Sequence, residues 1–219
     1  MKHGDAFMKK LKQLEWILPF VLCLICVAGI FALIELDRTH GIFACVVAIV
    51  LLWVPYLITR YTPIKIPTTL QFLAVVHIFL GIFLGSGLEF FYMVSFWDVF
   101  LHTWSGFLFS LVAIWVLVAL KEKPSLIATI LFAVALSSMV GMVWEIYEFS
   151  VDSIVKDSNM QKFMTEDLVP FVGRGALGDT MEDMICNFVG SIVFAIAYLV
   201  DHYFNKSRII IAIEEDFSN

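Results

Sequence analysis

The stretch "GDTMEDMICNFVGSIVFAIAYLVDHYF", residues 178–204, changes character at Asp183. Up to that point three acids fall within five positions, Asp179, Glu182 and Asp183; beyond it the chain is apolar almost to Phe204. A transmembrane helix needs about 20 predominantly apolar residues to cross the hydrocarbon core, and residues 183–204 supply that length. Read as a membrane span with acids at its mouth, this segment sets the terms for the rest of the chain.

Five further runs meet the same criterion: residues 16–34, 41–58, 67–88, 99–120 and 125–144. They account for a chain of 219 residues that is 61% hydrophobic and only 16% charged, with a mean hydropathy of +0.91. That composition is too apolar for a soluble domain of this size. The expected class is an all-α, polytopic membrane protein with six transmembrane helices in one bundle. An N-terminal segment, 1–15, and a C-terminal tail, 205–219, flank the transmembrane domain, 16–204. The first run reads as a retained helix, since it is long enough to span and no small-residue cleavage pattern follows its basic flank. Cys23, Cys26, Cys45 and Cys186 all lie inside apolar runs, where thiols behave as small hydrophobes. The CxxC of Cys23 and Cys26 therefore reads as packing rather than redox chemistry.

Orientation follows from Lys and Arg, which mark the cytoplasmic side of short loops. With the N-terminus inside, ten of the fourteen bases fall on the cytoplasmic side, and only Arg38, Lys156, Lys162 and Arg174 fall outside. Both termini are thus expected in the cytoplasm. The acids run the other way: thirteen of twenty lie outside, which leaves the outer face about −9 and the inner face about +3.

One connection, residues 149–178, is far longer than the 2–8 residues usual between bundle helices, and such loops are commonly functional. Its "DLVPFVGRGALGD" mixes apolar residues with glycines and Pro170, as in a folded cap or lid. The third run carries Gly81 and Gly85, a small-xxx-small pair suited to close helix packing, and His77 near mid-membrane.

The last three runs share a pattern. "WDVFLHTWSG" places Asp98, His102 and Ser105 at i, i+4 and i+7, one stripe of a helix. Ser138, Gly141, Glu145 and Glu148 form a second stripe, and Asp179, Asp183, Asn187 and Gly190 a third. The fourth and sixth runs enter from outside and the fifth exits there, so the acidic ends share one depth. Helix capping accounts for Asp98, Asp179 and Glu182, because acids suit the positive end of the helix dipole. It does not account for Glu145 and Glu148, which sit at the opposite end of their helix, nor for His102 and Asn187 further in. Burying several carboxylates together requires cations, protons or hydrogen bonds, and the obvious bases are Arg174 and His102. A divalent metal ion is the expected counter-charge. Oxygen donors with one imidazole suit Mg, Mn, Ca, Zn or Fe, and carboxylates at i, i+3 and i, i+4 on facing helices build metal sites in bundle cores. Asp98, His102, Glu145, Glu148, Asp179 and Asp183 are the candidate ligands, with Glu145 or Glu148 also a candidate general base and Asn187, Ser105 and Arg174 as further polar members. Trp97, Trp104, Trp144, Tyr92 and Tyr147 read as interfacial anchors.

"WDVFLH", "WEIYEF" and "GDTMEDM" together resemble the YjdF-like family of small bacterial inner-membrane proteins, over about residues 97–204. "GDTMEDMICNFVG" is also similar to the acidic motif of VanZ-like membrane proteins, associated with glycopeptide-antibiotic tolerance. These resemblances imply a multi-pass protein of the bacterial cytoplasmic membrane and leave the reaction open. Three functions fit: a metal-dependent hydrolase or transferase acting on a lipid-linked or envelope substrate, a cation- or proton-linked transporter, or a non-catalytic envelope or tolerance protein. Membrane lipids are the expected surroundings, and no nucleic-acid signature is present.

Overall fold

A computed structural model describes the backbone of residues 2–156, 158–165, 169–205 and 207–218, with their side chains apart from 2–12, 14, 40 and 216–218. Asp157, Glu166, Asp167 and Lys206 of the charge count lie outside the described residues, as do the side chains of Lys2, Lys9, Lys10 and Lys12. Six stretches are helical, long and apolar enough to cross a membrane. Among the described residues the only extended pairing is one isolated antiparallel bridge between Met164 and Pro170.

Helix α1 spans Lys2–Glu35, so the segment expected to precede the first span continues its helix. The second span is two helices, α2 (Ile42–Leu52) and α3 (Val54–Tyr61). Pro55 sits in the first turn of α3, where its missing N–H costs nothing, whereas in an unbroken helix it would remove a hydrogen bond. The third span is α4 (Thr68–Ile78), continued by a π-helical stretch over Phe79–Gly87. A short helix, α5 (Phe90–Met93), precedes α6 (Trp97–Ala119), α7 (Leu126–Ile154), α8 (Gly178–Phe204) and α9 (Arg208–Ser218).

Two of these bounds correct the sequence reading. Helix α7 runs ten residues past Trp144, and α8 starts five residues before Asp183. Hydropathy ends where charge begins, but Glu145 and Glu148 are compatible with a helix whose acids face another helix, and Asp152 with one whose acid holds the turn that follows. The long connection is correspondingly shorter than 149–178. The tail is also structured: the Asp201 carboxylate accepts the Ile209 N–H at 2.9 Å and caps the start of α9.

The chain divides into two compact units, Met1–Trp97 with Ile211–Asn219, and Asp98–Ile210. In the first, Cys26, Cys45, Ala48, Leu52, Val75 and Phe83 form the buried core. The cysteines are free, and Cys26 and Cys45 are fully buried among apolar neighbours, in keeping with a packing role. Gly85 makes room for the Phe91 ring rather than for a helix; the close backbone approach in this unit is Gly41 against the Gly87 carbonyl.

In the second unit, α6, α7 and α8 pack around Leu108, Ala113, Ile114, Ala133, Phe194 and Tyr198. The Phe107 and Phe194 rings meet edge to face, 5.3 Å apart. Two glycines set how closely α6 and α8 cross. A Cβ at Gly190 would fall 1.9 Å from the Thr103 carbonyl oxygen, and one at Gly106 would fall 2.0 Å from the Asn187 carbonyl oxygen. No other residue type fits either position without separating the helices. In both units large apolar side chains face outward, Phe43 at 77% and Ile127 at 71% exposure. In water so many would form adhesive patches; in lipid they meet their own kind.

Candidate metal centre

The crossing at Gly106 and Gly190 brings the acidic ends of α6 and α8 together. Asp98 lies in the first turn of α6 and Asp179 in that of α8, where carboxylates favourably meet the positive end of the helix dipole. One turn into α6, His102 directs Nε2 to Asp98 Oδ1 at 3.4 Å and, across the interface, to Asp183 Oδ2 at 3.5 Å. From α7, Glu145 and Glu148 present carboxylates at i, i+3 to the same place. Ligand atoms of Asp98, His102 and Asp183 lie within 4.8 Å of one another, and so do those of Glu145, Glu148 and Asp183. Asp183 is the member common to both groups.

Burial makes this arrangement costly. Asp183 is 2% exposed, Glu145 5% and Glu148 7%. Both oxygens of Glu145, Oε2 of Glu148 and Oδ2 of Asp179 are buried without a hydrogen-bond partner among the described residues. The remaining Glu148 oxygen accepts the Trp144 indole N–H at 2.8 Å, so a tryptophan expected to anchor the helix at the membrane surface also holds a carboxylate.

Behind the acids, Asn187 Nδ2 donates to Ser105 Oγ at 3.1 Å, and that hydroxyl donates to the His102 carbonyl at 2.8 Å. The chain ties α8 to the α6 backbone at the imidazole. Ser105 thus positions His102 through its main chain, without touching the ring. On α7 the buried face contains Ser137, not Ser138 as the stripe suggested: Ser137 is fully buried and donates to the Gly106 carbonyl at 2.8 Å. Gly141 does lie on that face, and its missing side chain leaves room for the Asn187 amide.

The cation at this site is Lys162, which sequence reasoning did not single out. Its ammonium contacts Asp98 Oδ2 and lies 3.1 Å from Asp179 Oδ1, bridging α6 and α8. A built turn puts it there. The Asp152 carboxylate at the end of α7 accepts the Ser158 hydroxyl at 2.6 Å and the Met160 and Gln161 N–H groups at 2.9 Å. The Asn159 side chain closes the turn on Met164, and Gln161 Nε2 donates to Thr180 Oγ1 of α8 at 2.9 Å. Lys162 itself adopts φ +42°, in the left-handed region. Partial burial pulls the ammonium's pKa down, but Asp98 and then Asp179 outweigh that effect and hold it above the ordinary lysine value. Arg174, the base expected here, is exposed and makes no ion pair with these carboxylates among the described residues. Glu182 is exposed, and His77 belongs to the first unit.

The half of the unit beyond Asn187 is less apolar than its sequence suggests: Ser110, Ser137, Ser191 and Thr129 are buried there. Each hydroxyl donates to a backbone carbonyl.

A family model described as "Predicted membrane protein (DUF2238)" matches residues 17–203. The chain belongs to the DUF2238 family. Its match takes in the first three spans, where the resemblance drawn from residues 97–204 rested on the last three alone. Six apolar spans and this family together make the chain a multi-pass membrane protein. It is also similar to an "Uncharacterized protein" of Thermotoga maritima, 29% identical over 145 residues that cover 64% of this chain and 67% of the relative. No solved structure matches.

Proposed function

We propose that this member of the DUF2238 family binds a divalent metal ion among α6, α7 and α8 and uses it for hydrolysis or group transfer on a lipid-linked or envelope substrate. The observation that carries this reading is the surplus of buried carboxylate oxygens. Among the described residues, Asp98, Glu145, Glu148, Asp179 and Asp183 converge, one ammonium answers them, and both Glu145 oxygens are left without a hydrogen-bond partner. Carboxylate oxygens and one imidazole suit Mg²⁺, Mn²⁺, Ca²⁺, Zn²⁺ or Fe²⁺. Such an ion, when bound, activates water or polarises a phosphoryl or carbonyl oxygen. Asp98, His102 and Asp183 serve as ligands, and Glu145 or Glu148 as a ligand or the base that takes a proton from the nucleophile. Lys162 closes the edge of the site from its turn.

The Lys and Arg distribution supports placing this end of the unit outside the bacterial cytoplasmic membrane, with both termini inside. Reporter fusions at the C-terminus read that orientation directly. Catalysis in place is favoured over transport, because the buried hydroxyls below the site are already committed to backbone carbonyls. Elemental analysis of the full-length protein, purified in detergent without chelator, tests the metal. Bound divalent ion that is lost in Asp183→Ala supports the reading; metal-free protein whose melting temperature is indifferent to chelator refutes it.

A further inference from the structure

The two ligand groups differ in chemistry. Asp98, His102 and Asp183 offer two oxygens and a nitrogen; Glu145, Glu148 and Asp183 offer oxygens alone. They lie on different helix pairs, α6 with α8 and α7 with α8, and meet only in Asp183. That carboxylate is 2% exposed and one of its oxygens faces the His102 imidazole at 3.5 Å. Lys162 takes up the outer oxygen of Asp98 and one of Asp179, so it compensates neither Glu145 nor Glu148. Those two glutamates, each more than nine-tenths buried, direct oxygens without hydrogen-bond partners among the described residues into the cluster.

We infer that the site holds two divalent ions with the Asp183 carboxylate bridging them, a deepening that rests on the metal-binding reading above. One ion takes Asp98, His102 and Asp183; the other takes Glu145, Glu148 and Asp183. Charge agrees. Among the described residues, five carboxylates against one ammonium, with His102 neutral as a ligand, leave four negative charges. Two divalent ions cancel four, while a single ion leaves two unanswered charges in a low-dielectric setting. Bridging by a carboxylate from a central helix is also how paired ions are held in other helical bundles, at separations of about 3.5–4 Å. The imidazole-containing subsite suits a transition metal, and the all-oxygen subsite also accepts Mg²⁺.

The experiment loads the full-length protein in detergent with Mn²⁺, removes excess ion, and measures both stoichiometry and the paramagnetic resonance spectrum. Two Mn²⁺ per chain with an exchange-coupled signal is the expected result. His102→Ala and Glu148→Gln should each retain one ion and lose the coupling. Variants are used only where they elute as monodisperse protein; if none does, the wild-type stoichiometry and coupling decide. One ion per chain, with no coupling, overturns the two-ion site while leaving the metal-binding reading intact. Two ions without coupling overturn the Asp183 bridge. No bound ion removes both.

Discussion

Replacing Lys162 by methionine keeps the stem and removes the ammonium from between Asp98 and Asp179. The exposures of the three side chains, 30%, 15% and 14%, place the contact between two regimes. Removing one partner of a fully buried pair costs about 3–5 kcal/mol, and an exposed pair contributes about 0–1 kcal/mol. The left-handed backbone at Lys162 stores some strain that the variant is free to release. The net loss expected is about 2 kcal/mol in the presence of chelator. At about 2–4 °C per kcal/mol for a chain of this length, the melting temperature should fall by about 4–8 °C. Divalent ion should narrow that gap, because an ion at 100 times its Kd contributes about 2.7 kcal/mol and the variant offers it carboxylates that lysine otherwise holds. Lys162→Arg should stay close to the parent. Differential scanning fluorimetry in detergent, with chelator and then with Mn²⁺, reads all three proteins. A Lys162→Met protein as stable as the parent in chelator would refute the assignment of this ammonium as the cluster's resident counter-charge.

Gly190→Ala should cost about 1–3 kcal/mol by overpacking, because its Cβ would sit 1.9 Å from the Thr103 carbonyl; metal titration should show affinity lowered about tenfold or more as Asp183 moves from His102. Trp144→Phe strips Glu148 of its indole donor, and the orphaned oxygen should cost about 1–3 kcal/mol, measured as a lower melting temperature in chelator. Arg38→Gln breaks a pair in the other unit whose arginine is 54% exposed, so the change should be about 0–1 kcal/mol with metal content unaltered.

Hydropathy made the six spans legible because crossing lipid is a demand on composition, and composition is written along the chain. The stripe on α8 was legible for the same kind of reason: Asp183, Asn187 and Gly190 recur at helical spacing and all three are buried. On α7 the period left the choice between neighbours open, and packing selected Ser137, whose hydroxyl reaches Gly106, over Ser138. Hydropathy marks where apolar composition stops and not where backbone hydrogen bonding stops, and α7 continues through two buried glutamates. Lys162 was illegible because its position depends on a tertiary turn hung from Asp152, and in sequence it is one of several bases in a polar connection. The division into two compact units likewise depends on contacts that no local pattern records.

Protons would cancel the cluster's charge as well as ions do, but the two solutions differ in what they leave unsatisfied. A protonated carboxyl is a donor and needs an acceptor. Glu145, with neither oxygen in a hydrogen bond among the described residues, would then bury an unanswered O–H in place of an unanswered charge. A metal ion instead takes the oxygens themselves as ligands and so satisfies charge and lone pairs together. The distinction is measurable in isosteric variants. Glu145→Gln mimics the protonated side chain, so a proton-neutralised cluster should tolerate it with no loss of melting temperature and no response to chelator. A metal centre loses an anionic ligand, and the same variant should bind ion more weakly and lose most of the stabilisation that Mn²⁺ gives the parent. Equal Mn²⁺ stabilisation of Glu145→Gln and the parent would take Glu145 out of the centre, and no Mn²⁺ response in either would return the cluster to the protonated account.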